Sequence, residues 1–125
     1  MKIEGTVVQG KQLGRTLGFP TANLLPDGEW QLVRAGVWAA WFHLDGQCHP
    51  CMVNIGRHPT LPEGPATIEA HIFDYSGELY GRRAQLETVA FLREETRFAD
   101  VQALRAQLER DKIQARHILA SQRID

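Results

Sequence analysis

The chain has 125 residues, 43% of them hydrophobic, which suits one domain over residues 1–125 and is too apolar for a disordered chain. A net charge of −1 and a pI near 6.5 give no electrostatic footprint for nucleic acid or an anionic membrane, and no apolar run is long enough to cross a bilayer. The start, Met1-Lys2-Ile3-Glu4-Gly5, lacks the apolar segment of a signal peptide, so the expected compartment is the cytoplasm.

Residues 3–9 alternate loosely and end at Gly10, which predicts a first strand. Residues 10–19 read as a glycine-rich loop and 21–25 as a short strand, stopped by the turn signal Pro26-Asp27-Gly28. Residues 29–35 are ambiguous. Residues 36–44 are strand-like, and Asp45-Gly46 folds them back in a tight hairpin onto residues 47–55. A loop with Pro59, Pro62 and Pro65 follows. Residues 66–73 alternate most clearly, with Ile68, Ala70 and Ile72 on one side and Thr67, Glu69, His71 and Phe73 on the other.

A turn at Ser76-Gly77 leads to a long final strand, 83–93, whose alternation slips near Thr88-Val89, where a bulge is expected. Asp100 then caps a helix running to about Ser121. Its apolar stripe is Val101, Leu104, Leu108, Ala115 and Leu119; Asp111 falls on the same stripe and there needs a polar partner. Several short strands followed by one helix predict a mainly β fold, a closed antiparallel barrel whose helix packs across an opening or a wall. Such a mouth is a natural small-molecule pocket.

The two cysteines form Cys48-His49-Pro50-Cys51, a spacing shared with thioredoxin-type redox pairs. That chemistry needs a helix N-terminus, whereas the flanking residues here read as a strand, which sends residues three apart to opposite faces. Two thiols are also too few to close a zinc site with the nearby His43, His49 and His58. Ordinary strand packing is the expectation.

The stretch Gly14-Arg15-Thr16-Leu17-Gly18-Phe19-Pro20-Thr21-Ala22-Asn23 carries the strongest chemical signal. Glycine lets a loop approach a ligand with bare backbone, and proline presets the chain beside it. Thr21 and Asn23, two apart, share one face of an extended chain. Neutral oxygens beside an arginine suit a phosphate-bound Mg²⁺, because the phosphates supply the negative charge. Glu69 sits mid-strand with His71 on the same strand face, and its functional meaning is open at this point. It acquires that meaning only if a second feature such as Thr21 and Asn23 lies on an adjacent strand; otherwise it is a solvated strand residue.

The stretch Gly5-x-Val7-x-x-Gly10-x-x-x-Gly14-Arg15-x-x-Gly18-Phe19-Pro20-Thr21-Ala22-Asn23 resembles the signature of the riboflavin kinase (flavokinase) family. Further blocks follow in order: Gly36-Val37-Trp38-Ala39, Val53-Asn54-Ile55-Gly56-x-x-Pro59-Thr60, Glu69-Ala70-His71-Ile72, Leu79-Tyr80-Gly81, and Leu92-Arg93 with Phe98 and Asp111. The resemblance covers nearly the whole chain. It implies a six-stranded Greek-key barrel with a C-terminal helix, and transfer of the ATP γ-phosphoryl group to the 5′-hydroxyl of riboflavin, giving FMN and ADP.

Under that resemblance Thr21 and Asn23 are the Mg²⁺ ligands and Glu69 is the base. Gly10, Arg15, Gly18 and Thr21 belong to the nucleotide site, Gly10 and Arg15 on its phosphate side, with Ile72, Asp74 and Tyr80 on its adenine side. Arg93, Thr96 and Phe98 border the flavin. Family members often carry lysine at the position of Thr96, and some at Arg15, where arginine can fork onto two phosphate oxygens. The alternative is a flavin- or nucleotide-binding barrel without turnover, since fold does not fix function. A barrel for single-stranded nucleic acid is disfavoured by the charge. The family's adenylyltransferase partner domain has a His-x-Gly-His motif, which is missing among His43, His49, His58, His71 and His117, so the expected product is FMN and not FAD. Neither the pattern nor the resemblance speaks to oligomeric state.

Overall fold

Alternation along each strand, apolar inward and mixed outward, builds a barrel in the structure, a computed structural model that describes residues 1–8, 19–28, 34–56, 67–75 and 77–122. Its strands are β1 (Lys2–Val8), β2 (Ala22–Pro26), β3 (Gly36–Leu44), β4 (Gln47–Gly56), β5 (Thr67–Ile72) and β6 (Arg83–Arg93), followed by the helix α1 (Val101–Gln122). Their order around the barrel is β1-β2-β5-β4-β3-β6, every neighbour antiparallel, with β6 closing onto β1. Closure leaves no open sheet edge. Residues 29–33 of the ambiguous stretch 29–35, residues 10–18 and 57–65 of the two expected loops, and Ser76 of the expected turn lie outside the described residues.

Two apolar layers follow from the alternation. Ile3, Val7, Leu24, Phe42, Val53, Ile55, Ile68, Ile72 and Leu86 fill the barrel interior. Outside it, Ala39 and Trp41 of β3 and Met52 of β4 pack with Phe19 and Phe73 against Ala115 and Leu119 of α1. The helix therefore covers an outer wall, against β3, β4 and β6. Each large side chain buried in these layers contributes about 1.5–3 kcal/mol.

The helix starts where its cap predicts: the Ala103 N–H donates to Asp100 Oδ1 at 2.7 Å. Its stripe packs from Leu104 onward, while Val101, one turn earlier, is 61% exposed. Asp111 is buried and has the polar partner its position demands. Arg93 donates to it through Nε at 3.0 and 3.1 Å and through Nη2 at 2.8 Å, and Gln107 adds a bond at 2.9 Å.

The expected slip in β6 is a bulge at Val89: Ala40 pairs with Thr88 and Ala39 with Ala90. A second irregularity skips Leu92, since Trp38 pairs with Phe91 and Val37 with Arg93. The two extra residues re-aim the strand, so that Val89, Ala90 and Leu92 all pack on the helix side. Opposite this kink Gly36 has φ +144°, and a Cβ there would meet the Phe91 ring and the Arg93 carbonyl at 2.5 Å. Cys48 and Cys51 do lie on a strand and part to opposite faces, Cys51 into the barrel interior and Cys48 against the helix-side layer. Burial pushes the Cys51 thiol well above its ordinary pKa, which removes it from thiolate chemistry.

Candidate active site

Strand β5 serves two cavities, one from each face. Its inward residues Ala70 and Ile72 line a cavity of about 370 Å³ at the barrel mouth, together with Val7, Ala22, Pro20 and Thr21 and the turn residues Tyr75, Glu78, Leu79 and Tyr80. Its outward residues Glu69 and His71 line a cavity of about 190 Å³ on the barrel wall, with Phe19, Thr21, Met52, Asn54, and Leu104 and Leu108 of α1. Thr21 lines both. The short segment 19–21 is thus the partition between a mixed polar and apolar chamber and a largely apolar one.

Cross-strand register places the polar groups beside that partition. Asn23 of β2 stands directly opposite Glu69 of β5, and Glu69 directly opposite Asn54 of β4. Residues paired across a ladder project from the same face, with Cα atoms about 4.5–5.5 Å apart. Asn23, Glu69 and Asn54 therefore form one polar row on the outer wall, and Thr21 shares the face of Asn23 by strand period. The adjacency that gives Glu69 its meaning is present.

His71 is the buried member of this group, and its Nδ1 lies 2.7 Å from the Pro20 carbonyl oxygen. A carbonyl only accepts, so the ring proton sits on Nδ1. Burial, reinforced by the Lys112 and Arg116 charges, holds the imidazole below its ordinary pKa against the opposing pull of the Pro20 bond and Asp74. The ring meets Phe19 and Phe73 edge-on, at centroid distances of 5.2 and 5.7 Å.

Thr21 and Asn23 offer neutral oxygens. Among the described residues no group of three or more His, Cys, Asp or Glu could hold a metal ion. That donor set fits Mg²⁺, which takes one or two protein oxygens and fills its remaining positions with phosphate and water.

The other candidate residues divide clearly. Ile72 and Tyr80 line the larger cavity. Asp74, at φ 55°, turns its carboxylate to Arg116 at 2.7 Å, and that guanidinium holds it below the usual carboxylate range. Arg93 is committed to Asp111, Thr96 bonds the Glu94 carbonyl at 3.2 Å, and Phe98 lies under Arg93 at 5.6 Å; none of the three lines either cavity. Gly10, Arg15 and Gly18 lie outside the described residues. Leu104 and Leu108, legible only as core stripe, are the helix's contribution to the smaller cavity. Asn54 and His71 carried a signal in their alternation: each falls on the strand face that bears Glu69.

The chain matches the family model "Flavokinase: Riboflavin kinase" over residues 1–119. It is 38% identical over 118 residues to a bifunctional riboflavin kinase/FMN adenylyltransferase of Listeria monocytogenes, covering 94% of this chain and 38% of that relative. A solved Streptococcus pneumoniae structure, described as a macrolide-efflux protein, superposes with a TM-score of 0.84 at 31% identity, over 92% of this chain and 38% of that one. Riboflavin kinase from Trypanosoma brucei shares the fold with a TM-score of 0.65 at 23% identity, over 95% of this chain and 79% of that one. This chain thus spans little more than a third of the length of the Listeria relative. Among the described residues no helix is long and apolar enough to cross a membrane. With the family model matched over nearly its whole length, the chain belongs to the riboflavin kinase family.

Proposed function

We propose that this chain is an ATP-dependent riboflavin kinase, one kinase domain acting in the cytoplasm, that moves the γ-phosphoryl group of ATP to the 5′-hydroxyl of riboflavin to give FMN and ADP. The observation that carries the reading is the shared wall: two cavities meet at Thr21, with Glu69 lining one of them. The larger chamber takes the nucleotide, its base among Ile72, Tyr75 and Tyr80. The smaller, between Met52, Leu104 and Leu108, takes the flavin. Their junction is where the γ-phosphoryl group and the ribityl hydroxyl have to meet.

Phosphoryl transfer asks the protein mainly for positioning and charge neutralisation. Thr21 and Asn23 hold the Mg²⁺, which when bound neutralises charge on the phosphates. Glu69 accepts the proton of the attacking hydroxyl, and the row from Asn23 to Asn54 keeps that carboxylate in a polar strip beside an apolar pocket. The apolar lining excludes water, which favours riboflavin over hydrolysis of ATP.

Incubating the protein with riboflavin, ATP and Mg²⁺ and separating the products should give FMN and ADP in equal amounts and no FAD. Nucleotide and flavin bound without any FMN would instead leave a binding module. Thr21→Ala and Asn23→Ala should each raise the Mg²⁺ concentration needed for half-maximal turnover, with partial rescue by added metal. Two variants that titrate with Mg²⁺ as the parent does would remove both residues from the metal site.

A further inference from the structure

The ladder between β2 and β5 runs through Asn23↔Glu69 and Ala22↔Ala70 and goes no further. The next position brings Thr21 opposite His71, at the partition between the cavities. Pro20 has no N–H to continue the ladder. In place of a backbone bond, the His71 side chain reaches across: Nδ1 lies 2.7 Å from the Pro20 carbonyl oxygen, one peptide before Thr21. His71 is 8% exposed, and Phe19, 4% exposed, packs on its ring edge-on from the other side of Pro20. Residues 19 and 20 are therefore both fastened to one imidazole, and Thr21 follows immediately.

We infer that His71 is a positioning residue: its Nδ1–H holds the Pro20 carbonyl and so fixes Thr21 between the two cavities. Thr21 comes immediately before β2, so its oxygen is placed only as well as Phe19 and Pro20 before it. A buried imidazole between two aromatic edges is a stiff support for that segment. This role belongs to the kinase proposed above, where Thr21 serves the metal-bound phosphates.

The test compares His71→Asn, His71→Leu and His71→Gln. The Asn amide nitrogen falls near the place of Nδ1, the Gln amide near that of Nε2, and Leu fills volume without a donor. Losing one buried hydrogen bond corresponds to about a tenfold effect. His71→Leu and His71→Gln should raise the Mg²⁺ concentration for half-maximal turnover about tenfold, and His71→Asn should restore most of it. Amide exchange of residues 21–23 in the protein without substrates should follow the same order, fast in Leu and Gln and slower in Asn.

A role in packing alone reverses the order, because Leu fills the apolar site better than Asn; that result, or equal behaviour of all three variants, overturns the inference. The exchange experiment needs no turnover. A parent protein that makes no FMN therefore counts against the kinase reading, while unchanged exchange in His71→Leu counts against the latch.

Discussion

Glu69→Gln should leave riboflavin and nucleotide binding close to the parent's and lower turnover by about 10²-fold or more. The substitution keeps the side chain's size and hydrogen-bonding reach and removes only the basic carboxylate. Glu69 stands between Asn23 and Asn54 in the β2-β5-β4 register, so a neutral amide has polar neighbours and need not disturb the wall. The loss should then appear in kcat, with little change in the KM for either substrate, as expected of a group that acts in the transition state. Steady-state kinetics with each substrate varied, alongside equilibrium binding of both, separates the two quantities. Turnover within a fewfold of the parent would take the base assignment away from Glu69.

Asp111→Ala should be the most destabilising single change outside the barrel interior. The carboxylate is 1% exposed and accepts from Arg93 and Gln107, while the Arg93 side chain keeps only 20% of its surface in water. Removing one partner of a buried pair leaves the other charge uncompensated and costs about 3–5 kcal/mol. The exposure that Arg93 retains points to the lower end of that range. Against a total stability of about 5–15 kcal/mol this is a large fraction, and the melting temperature should fall by about 10 °C.

Replacing both partners with apolar residues, Arg93→Met with Asp111→Leu, should cost less than Asp111→Ala alone, since no charge is stranded. The pair ties α1 to the end of β6, and Leu104 and Leu108 of the same helix line the smaller cavity. Those Asp111→Ala molecules that remain folded should accordingly show a larger rise in the KM for riboflavin than for MgATP. A thermal melt within about 3 °C of the parent would show that this anchor is dispensable.

Local patterns made much of this protein legible before any fold was known. Strand alternation placed the hairpin at Asp45-Gly46, the inward and outward faces of β5, and the slip at Val89, because side-chain period and turn chemistry act over a few residues. Asp100 marked the helix start for the same reason. The presence of Asp111 on an apolar stripe demanded a polar partner, but only the fold supplied Arg93, from a strand 18 residues earlier.

The site itself was decided by tertiary structure. That Glu69 of β5 lies beside Asn23 of β2, 46 residues away, follows from barrel closure, which no local pattern encodes. The fold also turned Leu104 and Leu108 from core stripe into cavity wall, by laying α1 along the barrel's outside. It gave Arg93 to Asp111, Asp74 to Arg116 and the His71 ring to Pro20, since a charged or polar group near the core takes the partner the packing brings within reach. The sequence by itself determined which residue types are available for chemistry and which way β5 turns Glu69 and His71. Which of them meet was settled only when long-range pairing closed the barrel.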